Sequence, residues 1–190
     1  MIEPPEDAAA RFRRTQSRKD FEALAKEWLP SIRRFLYVHL GPDIRGCDEV
    51  QQDVLIALMK NLAGFSGGSQ FSTFLYRLVR NKAVDHIRRE SRDRRRNVSL
   101  DEEVDPRSSP WEGGADPLDT LVRDNAMERL LGLLWTLPAR DRELVHLREI
   151  EGLGEKECAR ILGQPVGTLK SRLHRIKKRL YQQMVEDGGV

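Results

Sequence analysis

Six Lys or Arg residues fall between Lys170 and Arg179, and no Asp or Glu occurs from Gln164 to Val185. Within this stretch Leu169, Leu173, Ile176 and Leu180 step by four, three and four. On a helix that spacing buries the apolar seam and turns Thr168, Ser171, Arg172, Arg175 and Arg179 to another side, with Lys170, His174 and Lys178 in the same basic run. Guanidinium, ammonium and hydroxyl groups so placed have the donors to reach phosphate oxygens and base edges. A helix N-terminus adds free N–H groups that favour phosphate. A solvated basic face is the alternative. The missing acids, and a Gly-bearing turn just upstream, argue instead for nucleic acid.

A second constellation lies near the middle of the chain. Phe65 and Phe71 flank Ser66, Gly67, Gly68, Ser69 and Gln70, and a basic helical pattern follows. At 100° per residue Phe71, Phe74, Leu75, Leu78 and Val79 gather on one side of that helix, and Arg77, Arg80, Asn81, Val84 and Arg88 on the other. Rings and small polar groups beside cations can stack on and hydrogen-bond an unpaired base. The competing reading makes both phenylalanines plain core residues and the arginines a solvated face.

Other chemistry is poorly supplied. His39, His86, His146 and His174 are scattered, and no nucleophile signature, phosphate loop or ligand-spaced His/Cys/acid cluster occurs. We therefore expect no enzyme, no catalytic residue, no metal and no cofactor. Cys47 and Cys158 lie far apart in sequence, which argues against a disulfide framework or zinc knuckle. Cys158 reads as core, whereas Cys47, just before a helix, is the more accessible in principle. No apolar run reaches the roughly 18 residues of a membrane span. The start of the chain lacks signal-peptide character, so no membrane insertion and a cytoplasmic location are expected.

The elements that must carry these residues are helical. The 190 residues are 39% hydrophobic, 33% charged and 6% aromatic, a charge-rich balance that suits small helical cores. Residues 1–18 are polar, Pro- and Arg-rich and without period, and are read as a flexible arm. An amphipathic stripe of Phe21, Leu24, Trp28, Ile32, Phe35, Leu36 and Leu40 predicts a helix over 19–40, kinked or divided at Pro30. A second helix over 48–63 has Val50, Val54, Leu58 and Leu62 as its seam, broadened by Leu55 and Met59. Asp48 is placed as N-cap and Gln51 completes a capping box. The basic helix runs over 71–94.

The composition then reverses. Between Asp101 and Asp119 stand seven acids and one base, with three prolines and two glycines. Such a segment cannot form a core and reads as an extended linker. Helices follow over 118–137, 139–150, Glu155–Leu162 and 167–184. The two around Gly163-Gln164-Pro165-Val166 form a helix-turn-helix. The expected fold is all-α: two small helical domains, 19–96 and 118–190, joined by an acidic linker over 97–117.

Two stretches carry a family resemblance. Residues 71–89, FSTFLYRLVRNKAVDHIRR, resemble the DNA-melting, −10-reading helix of bacterial sigma factors of the extracytoplasmic-function (ECF) group. Residues 137–143 (LPARDRE), 151–153 (EGL) and 165–175 (PVGTLKSRLHR) resemble that group's −35-reading domain. The resemblance covers most of 21–184 and implies a dissociable subunit that directs core RNA polymerase to promoter DNA. It places Asp48, Gln51, Gln52, Asp53, Ile56 and Lys60 on the face that meets the beta and beta-prime subunits, although periodicity alone would make them ordinary helix surface. It implies that the 64–70 loop captures a flipped −10 base and that Arg77, Arg80, Asn81 and Arg88 hold the opening strand. It has the acidic linker thread the polymerase channel, and an anti-sigma factor hold the protein silent. Asp85 matches a family position but reads better as an intrahelical partner of Arg88 or Arg89. The family often has an aromatic where this chain has Thr73. A stand-alone helix-turn-helix regulator is the rival reading; it leaves the 71–89 helix and the acidic linker unexplained.

Overall fold

The computed structural model describes residues 5–41, 43–62, 64–65, 68–97 and 132–186. The chain divides into two units, residues 1–106 and 107–190, and no strand occurs among the described residues. The linker expected over 97–117 and the helix over 118–137 fall almost wholly outside the described residues, as do Ser66 and Gly67.

The first unit holds α1 (Pro5–Thr15), α2 (Arg18–Leu40), α3 (Ile44–Leu62) and α4 (Phe71–Asn97). Helix α1 corrects the expected flexible arm. Proline opens it, where its missing N–H costs nothing, and Arg13 and Arg14 in its last turn suit the helix dipole. Ala8, Ala9 and Phe12, at i, i+1 and i+4, are buried against α2. The Phe12 and Phe21 rings lie 5.5 Å apart. Arg11 Nε sits 3.1 Å from Asp20 Oδ1, and Thr15 Oγ1 donates to Asp20 Oδ2 at 2.6 Å. This short stripe escaped notice because two of its three apolar members are alanines.

Helix α2 runs unbroken through Pro30. The ring stands exposed, so the carbonyl it deprives of a donor has access to water. Ser17 caps the helix, its hydroxyl accepting from the Lys19 N–H at 3.2 Å. Gly41 ends it at φ 77°, its N–H donating to the Tyr37 carbonyl at 2.9 Å. Helix α3 begins one turn earlier than expected. Asp43, not Asp48, caps it: the Asp43 carboxylate accepts the Gly46 N–H at 3.0 Å. Asp48 therefore lies within the helix and meets Arg33 at 3.3 Å.

The core of this unit sits where α2, α3 and α4 converge. Leu24, Ile32, Phe35 and Leu36 of α2 meet Val50, Val54, Leu58 and Leu62 of α3 and Leu75, Val79 and Ala83 of α4, all fully buried. Each of these Leu, Ile, Val and Phe side chains contributes about 1.5–3 kcal/mol by leaving water. Trp28 packs edge-on to Phe71 at 5.4 Å, and Phe35 lies 5.3 Å from Tyr76. Thr73 is 1% exposed and belongs to this core, so the position often aromatic in the family faces inward here. Met59, expected in the seam, is half exposed instead.

The second unit holds a short helical piece over 132–136, then α5 (Ala139–Val145), α6 (Glu155–Leu162) and α7 (Val166–Glu186). The helix expected over 139–150 is α-helical only to Val145; His146–Ile150 widen into a π-turn. The Glu151 N–H donates to the His146 carbonyl at 3.0 Å, closing that turn. The buried His146 Nε2 and the half-buried Glu151 Oε1 lie 3.2 Å apart. Helix α6 matches its expected bounds, and its Glu157 side chain accepts the Gly154 N–H at 2.8 Å. Gly163 ends α6 in the left-handed region, φ 64° and ψ 37°, a conformation glycine adopts without steric cost. The small core gathers Leu144, Leu147, Leu153, Cys158, Ile161, Leu169 and Ile176. Leu173 and Leu180 of the expected seam are half-buried.

Candidate nucleic-acid interface

In the first unit the 64–70 loop lies between α3 and α4, and its Phe65 joins Phe71 and Phe74 of α4 in an aromatic cluster. Phe65 lies 4.9 Å from Phe74 and 6.3 Å from Phe71 between ring centroids. Phe71 is buried, anchored on Trp28, whereas Phe65 is half-buried. The two phenylalanines thus separate: Phe71 is core and Phe65 borders solvent. Beside them opens a cavity of about 290 Å³, lined by Phe65, Ser69, Gln70 and Phe71, and by Ala9, Ala10 and Arg13 of α1.

Along α4, Arg77, Asn81 and Arg88 are exposed on the side away from the core, and Arg80 is half-buried. Arg88 Nη1 lies 3.9 Å from Asp85 Oδ1 within the helix. Arg89 turns to α3, 3.7 Å from Glu49 and 3.5 Å from Asp53. On α3 itself Gln52, Ile56 and Lys60 are exposed, and Gln51 and Asp53 are half-buried. Met59 joins Ile56 there, the two being 50% and 49% exposed. Two adjacent apolar side chains on one helix face, rimmed by Gln and Lys, make a surface suited to a protein partner.

In the second unit α7 presents Thr168, Lys170, Ser171, His174, Arg175, Lys178 and Arg179 to solvent. The Ser171 hydroxyl donates to the Gly167 carbonyl at 2.8 Å. Lys170 meets Glu155 of α6 at 3.1 Å, and Lys177 meets Glu149 of the π-turn at 3.0 Å. Arg172 differs from its neighbours. Its Nε lies 3.4 Å from Asp141 of α5 and its Nη1 donates to Gln164 Oε1 at 3.1 Å, with the side chain only 23% exposed. The acids missing from 164–185 are thus supplied by neighbouring elements, and they engage the sides of the helix. Sequence spacing could not show this, because Asp141, Glu149 and Glu155 lie outside the run.

Both thiols are buried. Burial pushes Cys47 up to about 11, helped by Asp43 and opposed by Arg33. Burial likewise pushes Cys158 up to about 11, opposed by Arg148. Neither is poised as a nucleophile. No group of three or more His, Cys, Asp or Glu able to hold a metal occurs among the described residues. None of the described helices is long and apolar enough to cross a membrane.

A four-helix unit carrying a basic face and an aromatic-lined cavity, with a basic helix-turn-helix unit after it, defines a two-part, all-helical DNA-directed class. Comparison with known proteins names the family. Residues 24–93 match the model of sigma-70 region 2, and residues 127–180 that of sigma-70 region 4. The ECF sigma-E factor of Escherichia coli K12 is 30% identical over 135 residues, 68% of this chain and 69% of that protein. SigW of Bacillus subtilis is 29% identical over 163 residues, covering 80% of this chain and 82% of that factor. SigD of Mycobacterium tuberculosis H37Rv is also 29% identical over 163 residues, covering 84% and 74%. Among solved structures, CnrH in complex with the cytosolic domain of CnrY has a TM-score of 0.66 at 20% identity, covering 97% of this chain and 99% of that one. Sigma factor RpoE of Bartonella quintana, in complex with the anti-sigma factor NepR, has a TM-score of 0.65 at 24% identity, covering 88% and 98%. The chain belongs to the ECF sigma factors. Its role is transcription initiation, and it is not an enzyme.

Proposed function

We propose that this chain brings core RNA polymerase to promoters, reads a −35 element with α7 and a −10 element with the 64–70 loop and α4, and melts the −10 region. The carrying observation is that Phe65, half-buried beside an open cavity, packs on Phe74 of α4, the helix on which Arg77 and Asn81 are exposed. An aromatic ring at the mouth of a cavity suits an extruded base. Exposed guanidinium groups suit the strand's phosphates. Thr168, Ser171, Arg175 and Arg179 form the −35-reading set, with Lys178 and His174 at its flank and Lys170 half engaged by Glu155. Arg172 orients α7 through Asp141 and Gln164. Gln52, Ile56, Met59 and Lys60 face the beta and beta-prime subunits, with Asp48, Gln51 and Asp53 at the rim. An anti-sigma factor is the expected inhibitor, by analogy with the NepR-bound relative, and the site of action is the cytoplasm.

Run-off transcription on fragmented genomic DNA, with core polymerase and the full chain, tests this reading. Discrete new transcripts that share upstream elements are expected. Binding to DNA without any association with core polymerase would replace it with a stand-alone regulator.

A further inference from the structure

We propose that α1 is a working wall of the base-capture cavity and that Arg13 is a capture residue for a single unpaired DNA base; this rests on the base-capture reading above. Arg13 is half-buried in the last turn of α1, and its Cζ stands 5.7 Å from the centroid of the Phe65 ring, on the ring face. That places a delocalised cation over a half-buried ring of the aromatic cluster. Three features make the arrangement a receptor and not merely an interhelical contact.

The first is space. The cavity of about 290 Å³ lies at the lower edge of small-ligand pockets, which span about 300–1,000 Å³. It has room for one flat heterocycle and not for a duplex end. Its α1 wall is made of Ala9 and Ala10, the shortest side chains that keep a helix helical. The second is chemistry. Phe65 and Phe71 supply π surface, Ser69 and Gln70 supply hydrogen-bond groups, and Arg13 supplies charge. A guanidinium this close to the ring leaves no gap for a base. It must lift as the base enters, exchanging the Phe65 face for the base's own face. The third is rigidity. Ala8, Ala9 and Phe12 are buried, and Asp20 holds both Arg11 and Thr15, so α1 is docked before any ligand arrives.

The test uses holoenzyme made from core polymerase and the full chain. A randomised single-stranded 12-nucleotide DNA pool is enriched on wild-type holoenzyme, and the winning oligonucleotide is labelled as the probe. A second probe carries an abasic site at the position whose base loss weakens wild-type binding most. Arg13→Ala should weaken the intact probe about five- to tenfold. Ala10→Leu, at an exposed position, should weaken it comparably by filling the cavity. For both variants the abasic probe should bind as it does to wild type, because the base is no longer held. Arg13→Lys should recover part of the loss, and thermal melting of all three chains should match wild type. If wild type selects a probe with a sensitive base but Arg13→Ala and Ala10→Leu bind both probes as wild type does, α1 has no part in capture. The base-capture reading would survive that result. If wild type itself shows no base-sensitive single-stranded probe, the base-capture reading falls and this proposal with it.

Discussion

Helix α4 rests on two long helices, α2 and α3, whereas α7 leans on the short α5 and α6 and a π-turn, and the two display their cations differently. In α4 the core face is filled by Leu75, Val79 and Ala83, so Arg77 and Asn81 are presented by packing alone. In α7 the buried seam is thin, since Leu173 and Leu180 are only half-buried. Ion pairs from Lys170, Arg172 and Lys177 to Glu155, Asp141 and Glu149 hold the helix against its scaffold. A helix backed by a large core can present cations such as Arg77 to a ligand, even though Arg89 is engaged by Glu49 and Asp53 of α3. A helix on a small core must keep some of its cations for itself. Mutations on the two faces should therefore fail in different ways: loss of function without loss of stability in the first unit, and a mixture of both in the second.

The largest expected effect tests the packing side of this contrast. Leu58 is 0% exposed, and Leu58→Ala should cost about 2–5 kcal/mol of stability in urea unfolding followed by circular dichroism. A cost below about 1 kcal/mol would show that the α2–α3–α4 core is not what fixes α4. Phe65→Ala, at the half-buried ring, should leave stability almost unchanged. It should slow open-complex formation about tenfold on duplex promoters, and far less on templates already unpaired at −10. Equal loss on both templates would make Phe65 a packing residue.

Most of this architecture was legible in the sequence, for a physical reason. Stripes of Leu, Val and Phe at steps of three and four mark α2, α3 and α7 because those side chains carry most of the burial energy. Glycine and proline mark the stops because backbone geometry demands them there, as at Gly41 and Gly163. Three things stayed hidden. Helix α1 buries Ala8 and Ala9, whose small area gives little hydrophobic signal, so the α1 wall of the cavity and Arg13 were missed. Asp43 takes the cap that spacing offered to Asp48 because either carboxylate could accept a helix N–H, and only the fold shows that the helix starts at Ile44. The partners of Arg172 could not be read from spacing at all, since Asp141 and Arg172 are distant in sequence and meet only through the fold.

Arg172 and Arg175 give the next comparison, three residues apart on one helix. Arg175 is exposed, and Arg175→Ala should weaken −35 DNA binding by about 1–3 kcal/mol, or lower the salt slope by about one if it meets a phosphate. Thermal stability should stay unchanged. Arg172→Ala removes a half-buried ion pair and a hydrogen bond to Gln164, so it should cost about 1 kcal/mol of stability and weaken DNA binding through misorientation. Arg172→Ala with unaltered melting and a pure loss of base preference would mean that Arg172 leaves Asp141 to read DNA.

The smallest effect at neutral pH concerns Cys47 and Cys158, one thiol in each unit. Both are held near 11, above the ordinary thiol value of 9.0, and burial is the first cause in each. The charges around them differ, with Asp43 raising Cys47 and Arg148 lowering Cys158, yet the outcome is the same, so desolvation outweighs either neighbour. An acid whose folded pKa is raised binds its proton more tightly in the native state. Its contribution to stability is complete below pH 9 and is lost as pH climbs through 11, because the unfolded chain releases that proton first. Iodoacetamide should therefore label neither thiol at pH 7.5 on the timescale that labels the urea-unfolded chain, and promoter binding should withstand mild peroxide. The urea midpoint of the wild type should fall between pH 9 and 10.5 by more than that of the Cys47→Ala, Cys158→Ala double variant. Rapid labelling of Cys47 alone at pH 7.5 would show that the start of α3 opens locally. The first unit, for all its larger core, would then have the weaker edge.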